Sequence, residues 1–528
     1  MWDFIIIGAG SSGCAAAFQI AEGAPDKSVL IVEAGSSDNS LSIKVPAGQL
    51  KAIADCDWGY ESEPDPTRFG KTEHWWRGRV VGGSSSINGT MYVRGTPRDY
   101  DRWASSLGPS NAACWTAEDV MPLFKEIESS DQAGRTRGQT GRLHVRTVRH
   151  PHPLTCAFVD AASASGYHRN TDYNDERQDG VGFAQLSQKG RFRCSAADAF
   201  LRPILKLPNV KLLLDAHVNA IGFDGSTASG VTLTCNGSVI TEHGRKIIVA
   251  AGAINSPKLL MLSGIGDPDE LKSHGITPKL ALPGVGRNLI EHPLVGFTYK
   301  TRMPSFNLTG GVLQKLNFAA QYLSGREGPI ANPFEAAAFI KSSRDEAHPD
   351  LQLHFLPLGY FISEKGEFVL QPYSSATVLL NLSYPHSRGQ IRLRGPNPDA
   401  APLIECRLLD DPRDLEALLN GVERVREIMR TDPMKNLVED EMHPGSTLTD
   451  REAMIDYLKR FTGPTYHPVG TCRMGNDELA VVSPDLRVRG TENLWVADAS
   501  VMPDLISGNT NSACLMIGTK LGKQLARL

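Results

Sequence analysis

At 528 residues and 41% hydrophobic content the chain is too long for one simple core, and two domains are expected. A formal net charge of −4 argues against a general nucleic-acid binder or a polybasic membrane protein, leaving room for a local patch, and no apolar run is long enough to span a bilayer. Nine cysteines without a CxxC pair, and a first strand that leaves no room for a secretory signal, suit a cytoplasmic protein with reduced thiols better than a disulfide framework or a zinc site.

Asp3 to Ile7 reads as a short buried strand, being continuous, apolar and β-branched. The turn Gly8-Ala9-Gly10-Ser11-Ser12-Gly13 follows, and Cys14 to Ala21 reads as a small-residue helix. Gly8 allows the tight turn, Gly10 lets a pyrophosphate approach the backbone, and Gly13 lets helix and strand pack closely. The helix N-terminus supplies N–H groups and partial positive charge. A second apolar run, Val29 to Val32, ends at Glu33, where a carboxylate would grip ribose hydroxyls. A GxGxxG alone can be a glycine-rich loop; with strand, helix, second strand and acid in place it predicts a Rossmann-type dinucleotide site. Ser36 to Trp76 shows no sustained period and is expected to be an extended loop region. Gly78-Arg79-Val80-Val81-Gly82-Gly83-Ser84-Ser85-Ser86-Ile87-Asn88-Gly89 is a poor strand or helix, and reads either as a flexible loop or as backbone laid against a flat or anionic ligand.

That segment, some sixty residues after the opening turn, resembles the first signature of the glucose-methanol-choline (GMC) oxidoreductases, FAD-dependent enzymes that oxidise alcohols. Gly252-Ala253-Ile254-Asn255-Ser256-Pro257 and the residues on to Gly266 resemble the second. The likeness runs from residue 3 to about 524 and implies FAD in the opening site. It also implies cofactor contacts at Ser11, Ser12, Ala34, Arg79, Val81, Gly83, Ser84, Asn88, Gly89 and Met91, then at Val218, Ala251 and Gly252, and finally at Asp498, Ala499, Asn509, Thr510 and Asn511. Some members link FAD covalently through a histidine before the position of Asn88. Ile87 stands there, so the FAD is expected to be non-covalent.

Asp99 to Glu128 carries helical patterns, and Ser129 to Gly141 a polar loop. Arg191 to Leu205 resembles the family's return to the cofactor domain, and Val210 to Leu214 reads as a strand leading to Val218. The resemblance puts the Val218 backbone against adenine; a core valine is equally compatible with the side chain. Lys246 to Ala251 is a buried strand, and Ser256-Pro257 is expected to start a helix. His292, in a segment that resembles the exit from the cofactor domain, is read as structural, since no neighbour in sequence completes a proton relay. From Pro293 to Phe461 the pattern changes. Ala376, Val378, Leu380 and Leu382 alternate, and Ser387-Arg388-Gly389 separates them from Ile391 and Leu393, which predicts a hairpin covered on one face. Leu415, Leu418, Val422, Val425 and Met429 mark a helix face, with Asp410 and Asp411 at its start. Glu335 is read as a solvated or structural acid rather than a partner for a substrate ammonium.

Tyr466-His467-Pro468-Val469-Gly470 resembles the family's catalytic histidine motif, and a histidine can accept the hydroxyl proton of an alcohol near neutral pH. Leu494 to Ala497 is a last strand, with Asp498 at its end as sugar-alcohol acceptor or exposed acid. Asn511 matches the family's second catalytic position; a helix N-cap is the plain alternative and compatible with it. Cys472 and Cys514 are read as inert. The expected fold is mixed α/β, with a discontinuous FAD domain (1–100, 186–295 and 480–528) and a substrate domain on an antiparallel sheet (101–185 and 296–479). The expected reaction is oxidation of a small primary alcohol to an aldehyde, with oxygen, a quinone or a dye as final acceptor. A hydroxynitrile lyase-like enzyme, a choline-specific dehydrogenase and a non-catalytic flavin-binding protein are the rivals.

Overall fold

β1 (Trp2–Ile7) and β2 (Val29–Val32) have no polar face, and Phe4–Ile7 and all of β2 are buried. The computed structural model describes residues 1–108, 114–307, 309–326, 328–364 and 366–528; residues 109–113 of the stretch between Asp99 and Glu128 lie outside the described residues. β1 pairs in parallel with β2 on one side, and β2 with β3 (Val210–Leu213). β4 (Ala216–Asp224), β5 (Thr227–Cys235) and β6 (Ser238–Val249) form an antiparallel meander. β6 belongs to both parts, because its last four residues pair in parallel with Phe4–Ile7 and its end with the strand Leu494–Val496. The order is β3-β2-β1-β6-β5-β4.

α1 (Ser11–Gly23) leaves β1 through the glycine turn, α2 (Gly252–Leu262) leaves β6, and α3 (Asn511–Leu525) crosses α1. That crossing is backbone on backbone. A Cβ at Gly518 would stand 2.2 Å from the Ser12 carbonyl oxygen, and one at Gly522 2.7 Å from the Gln19 Cβ.

The second sheet is antiparallel throughout. β7 (Pro293–Thr301), β8 (Ala336–Ile340), β9 (Leu351–Leu356), β10 (Ser375–Leu382) and β11 (Val438–His443) lie in the order β11-β7-β10-β9-β8, ending on Gly180–Phe183. The helix Pro412–Met429 covers one face, with Gly421 against Leu380 and Leu351. Leu294, His354 and Leu379 line a cavity on the other face.

Three local readings are corrected. β10 is not half of a hairpin: β7 and β9 flank it, every residue is buried, and Gln390–Arg392 pairs instead with Leu403–Glu405. Gln49–Cys56, inside the expected loop, is helical with Ala52 and Ile53 buried. α2 starts at Gly252 rather than at Ser256, because the Gly252 N–H donates to Asp498 at 2.8 Å. Pro257 then sits inside the helix, and the Ala253 carbonyl, to which it has no N–H to offer, accepts from the Thr471 hydroxyl at 2.6 Å.

Candidate active site

One cavity runs from the opening turn to the second sheet. At its dinucleotide end the three glycines do different work. Gly8 has φ +103°, and a Cβ there would lie 2.5 Å from the Ala250 carbonyl oxygen; one on Gly13 would lie 2.0 Å from that of Gly8. A Cβ on Gly10 would meet nothing nearer than the Gly83 Cα at 4.0 Å, so this position opens into the cavity. Glu33 accepts the N–H groups of Ala9 and Gly35, both at 2.8 Å, and burial raises its pKa to about 7. Asp498 accepts from the Gly252 N–H, the Ser256 hydroxyl and the Ser500 N–H, so it organises the start of α2, and burial raises its pKa.

Most of the cofactor positions expected from sequence line this crevice: Gly8, Gly10, Ser11, Ser12, Glu33, Ala34, Gly83, Ser84, Asn88, Gly89, Met91, Val218, Ala251, Gly252, Asp498, Ala499, Asn509, Thr510 and Asn511. Gly13, Arg79 and Val81 support it from behind. Arg79 Nε donates to the Ala34 carbonyl at 3.2 Å, and the Val81 N–H to that of Ser36 at 3.0 Å. Asn88 Oδ1 accepts from Arg193 Nη1 at 2.7 Å, which holds its loop. A carboxylate at one end, an open glycine cradle in the middle and a histidine at the far end fit the chemistry of FAD.

At the far end Tyr466, at φ +65°, turns the chain into His467, whose backbone N–H donates to both Glu291 carboxylate oxygens at 2.8 Å. The ring is held on both nitrogens. His467 Nδ1 lies 3.0 Å from His292 Nδ1, and His467 Nε2 lies 3.2 Å from Asn509 Nδ2. His292 Nε2 lies 3.0 Å from the Ser383 carbonyl oxygen, which can only accept. The His292 proton is therefore on Nε2. Burial pushes the His292 pKa down to about 4, so the ring is neutral and its Nδ1 bare. His467 must then donate from Nδ1, which leaves Nε2 as a lone pair facing the cavity. Burial, with His292, Arg77 and His354 around it, holds the His467 pKa well below the usual histidine value.

Asn509, not Asn511, stands beside His467. Asn511 Oδ1 accepts from the Ser11 hydroxyl at 2.6 Å, because the first turn of α3 is docked on α1. Thr510 occupies the N-cap position of that helix, without a side-chain capping bond, and Asn511 is its first residue. Asn509 Oδ1 accepts from Gln352 Nε2 at 3.3 Å, which aims the amide N–H at the histidine. His292, read from sequence as having no partner for a relay, touches the base directly. Glu335 is a structural acid, buried rather than solvated, accepting from the His152 N–H at 2.8 Å and the Thr155 hydroxyl at 2.6 Å. Burial raises both candidate thiols, Cys472 strongly and Cys514 to about 12, in keeping with inert cysteines. Sequence reasoning missed Arg77, which donates to the Tyr466 carbonyl, and His354, buried on β9 with Nδ1 lacking a hydrogen-bond partner among the described residues. Among the described residues no cluster could hold a metal ion, and no helix is long and apolar enough to cross a membrane.

A cofactor crevice joined to a histidine on a sheet-roofed cavity defines a flavin-type oxidoreductase architecture. The chain belongs to the GMC oxidoreductase family, whose N-terminal part matches residues 2–294 and whose C-terminal part matches residues 385–518. It is 34% identical to an alcohol dehydrogenase (acceptor) of Pseudomonas putida, covering 100% of this chain and 96% of that protein. It is 38% identical to an oxygen-dependent choline dehydrogenase of Rhizobium johnstonii, covering 99% and 96%. Its fold superposes on pyridoxine 4-oxidase from Mesorbium loti with a TM-score of 0.91 at 29% identity, covering all of both chains.

Proposed function

We propose that this chain oxidises a primary alcohol to an aldehyde with non-covalently bound FAD, using His467 Nε2 as the base. The observation that carries the reading is the hydrogen-bond chain from the Ser383 carbonyl through His292 to His467, which leaves Nε2 unprotonated, with the Asn509 N–H on it, at the cavity. FAD, when bound, supplies the acceptor for the hydride. A substrate hydroxyl donates to Nε2, displaces the Asn509 N–H from it, and receives that N–H on its own oxygen. His292 does not carry the proton away, since its far nitrogen already ends on a backbone carbonyl. It fixes which tautomer His467 adopts, and Glu291 fixes the backbone that carries the ring. The Gly10 and Gly83 backbones would cradle the pyrophosphate and Glu33 would take the ribose hydroxyls, and Ile87 offers no group for a covalent link. Residues 1–100, 186–295 and 480–528 form the part that holds FAD, and residues 101–185 and 296–479 the part that shapes the substrate pocket.

Anaerobic mixing with a panel of alcohols, followed by flavin absorbance, tests this. Wild type should bleach, and His467→Ala should keep its FAD but bleach roughly 10²–10⁴-fold more slowly, the worth of a general base. A variant as fast as wild type removes the base assignment. Flavin that no alcohol bleaches would point instead to a lyase or a binding protein.

A further inference from the structure

We infer that the substrate is an uncharged alcohol with an apolar body, and that quaternary ammonium alcohols such as choline are excluded by the pocket's charge; this rests on the alcohol-oxidase reading above. The carboxylates lining the cavity, among the described residues, are Glu33 and Asp498. Both lie at the dinucleotide end with backbone N–H groups already on their oxygens. Glu291, close to the base, is turned away behind it, its oxygens taken by the backbone N–H groups of His467 and His292. The ionised side chain lining the substrate end is a cation, Arg77, whose guanidinium donates to the Tyr466 carbonyl. A second positive charge in that space would be desolvated without a counter-ion.

Aromatic rings can replace a carboxylate for an ammonium when their faces are open, because the face is the negative part of the ring and the edge the positive part. Here several of the rings are stacked on one another. Trp76 stacks on Tyr466 with centroids 4.7 Å apart and on Phe368 at 5.4 Å, and Phe368 stacks on Tyr360 at 5.1 Å, with interplanar angles of 25°, 28° and 30°. Trp76 and Phe368 are thus each stacked with two neighbouring rings, while Phe334, also in the lining, meets the His354 ring edge to face at 6.0 Å. Leu294 and Leu379 pack with Tyr360 to continue the wall. His354 adds one uncharged polar edge, since burial lowers its pKa to about 4. Such a wall removes a hydrocarbon body from water and supplies no carboxylate to a fixed cation.

The test uses the FAD-loaded enzyme and a pair of alcohols that differ in charge but not in shape, choline and 3,3-dimethylbutan-1-ol. The neutral member should be favoured in kcat/KM by about 10²-fold or more, the penalty falling on the unpaired cation. 1-Hexanol should exceed ethanol by at least about tenfold, as added methylenes enter an apolar pocket. Tetramethylammonium chloride should leave 1-hexanol oxidation unchanged. Choline turned over as well as its neutral isostere, ethanol equal to 1-hexanol, or competitive inhibition by tetramethylammonium would each overturn the inference and leave alcohol oxidation standing. A flavin unbleached by all four alcohols would overturn the alcohol-oxidase reading, and this inference with it.

Discussion

At the dinucleotide end of the cavity the surface is mostly backbone and small residues. Gly10, Gly83 and Gly252 face it, and its two carboxylates are tied to N–H groups near them in space. At the substrate end it is side chain throughout, with Trp76, Leu294, His354, Phe368, Tyr466 and Asn509 arriving from widely separated segments. The turn at the heart of the first surface is set by a short stretch of sequence, and Gly83, Gly252 and Asp498 join it from far along the chain. The second exists only once distant strands and loops have met, so it can change its chemistry without disturbing the turn that holds the cofactor.

The largest expected effect breaks the dinucleotide end from within. Gly13→Ala places a Cβ where the Gly8 carbonyl oxygen lies 2.0 Å away. It should cost about 3 kcal/mol of stability by overpacking, seen in thermal unfolding, and abolish flavin binding. Gly10→Ala is the control: its Cβ has room in the protein, so the melting temperature should hold while the purified protein loses FAD. A Gly10→Ala protein with full flavin would refute the cradle. At the other end, Asn509→Ala should slow anaerobic flavin reduction roughly 10²-fold, as loss of a donor to the reacting oxygen does. Asn511→Ala should instead loosen FAD, leaving the holo fraction near the wild-type rate, since its partner is Ser11. Equal rate defects in the two would dissolve the distinction.

The pH dependences are smaller and separate the two ends further. His467 works as the neutral form, and its surroundings hold its pKa below the ordinary 6.5. Reduction should therefore stay flat as pH falls to 6.5 and decline only below it, where the ring takes up a proton. A rate already falling above 6.5 would contradict the buried, positively flanked environment. Glu33 works as the anion, and its raised pKa means that it protonates as pH drops through about 7. FAD retention, read by released-flavin fluorescence, should weaken across that range in wild type and lose this dependence in Glu33→Gln.

The same contrast governs how much of the fold and the site is legible in the sequence. The strand, turn, helix and acid of residues 3–33 are readable because they follow one another in one short stretch, and β1, α1 and β2 fall where the pattern places them. His467 is readable from the motif around it. Asn509 and Asn511 are not separable in sequence: both precede or open one helix, and only the docking of α3 on α1 turns Asn511 to Ser11 and frees Asn509 for the histidine. His292 is isolated in sequence because its partner lies 175 positions away. β10 resembles half of a hairpin because alternation shows one covered face and cannot show that strands flank both edges. Pro257 resembles a helix start because its missing N–H is answered by Thr471, far off in the chain.

The crossing of α1 by α3 also imposes an order in time. Synthesis delivers the glycine turn first, while the strand Leu494–Val496, Asp498, Asn509 and α3 emerge after nearly everything else. Until they do, β6 has an unpaired edge, Gly252 has no acceptor for its N–H, and α1 has no helix lying over Ser12. The cofactor crevice is thus the last part of the molecule to close, although it is the first to be written. FAD meets the whole of its site only once the C-terminal segment is in place. Premature termination between Pro464 and Leu494 leaves a protein whose second sheet has all its strands and whose flavin site lacks Asp498, Asn509 and α3.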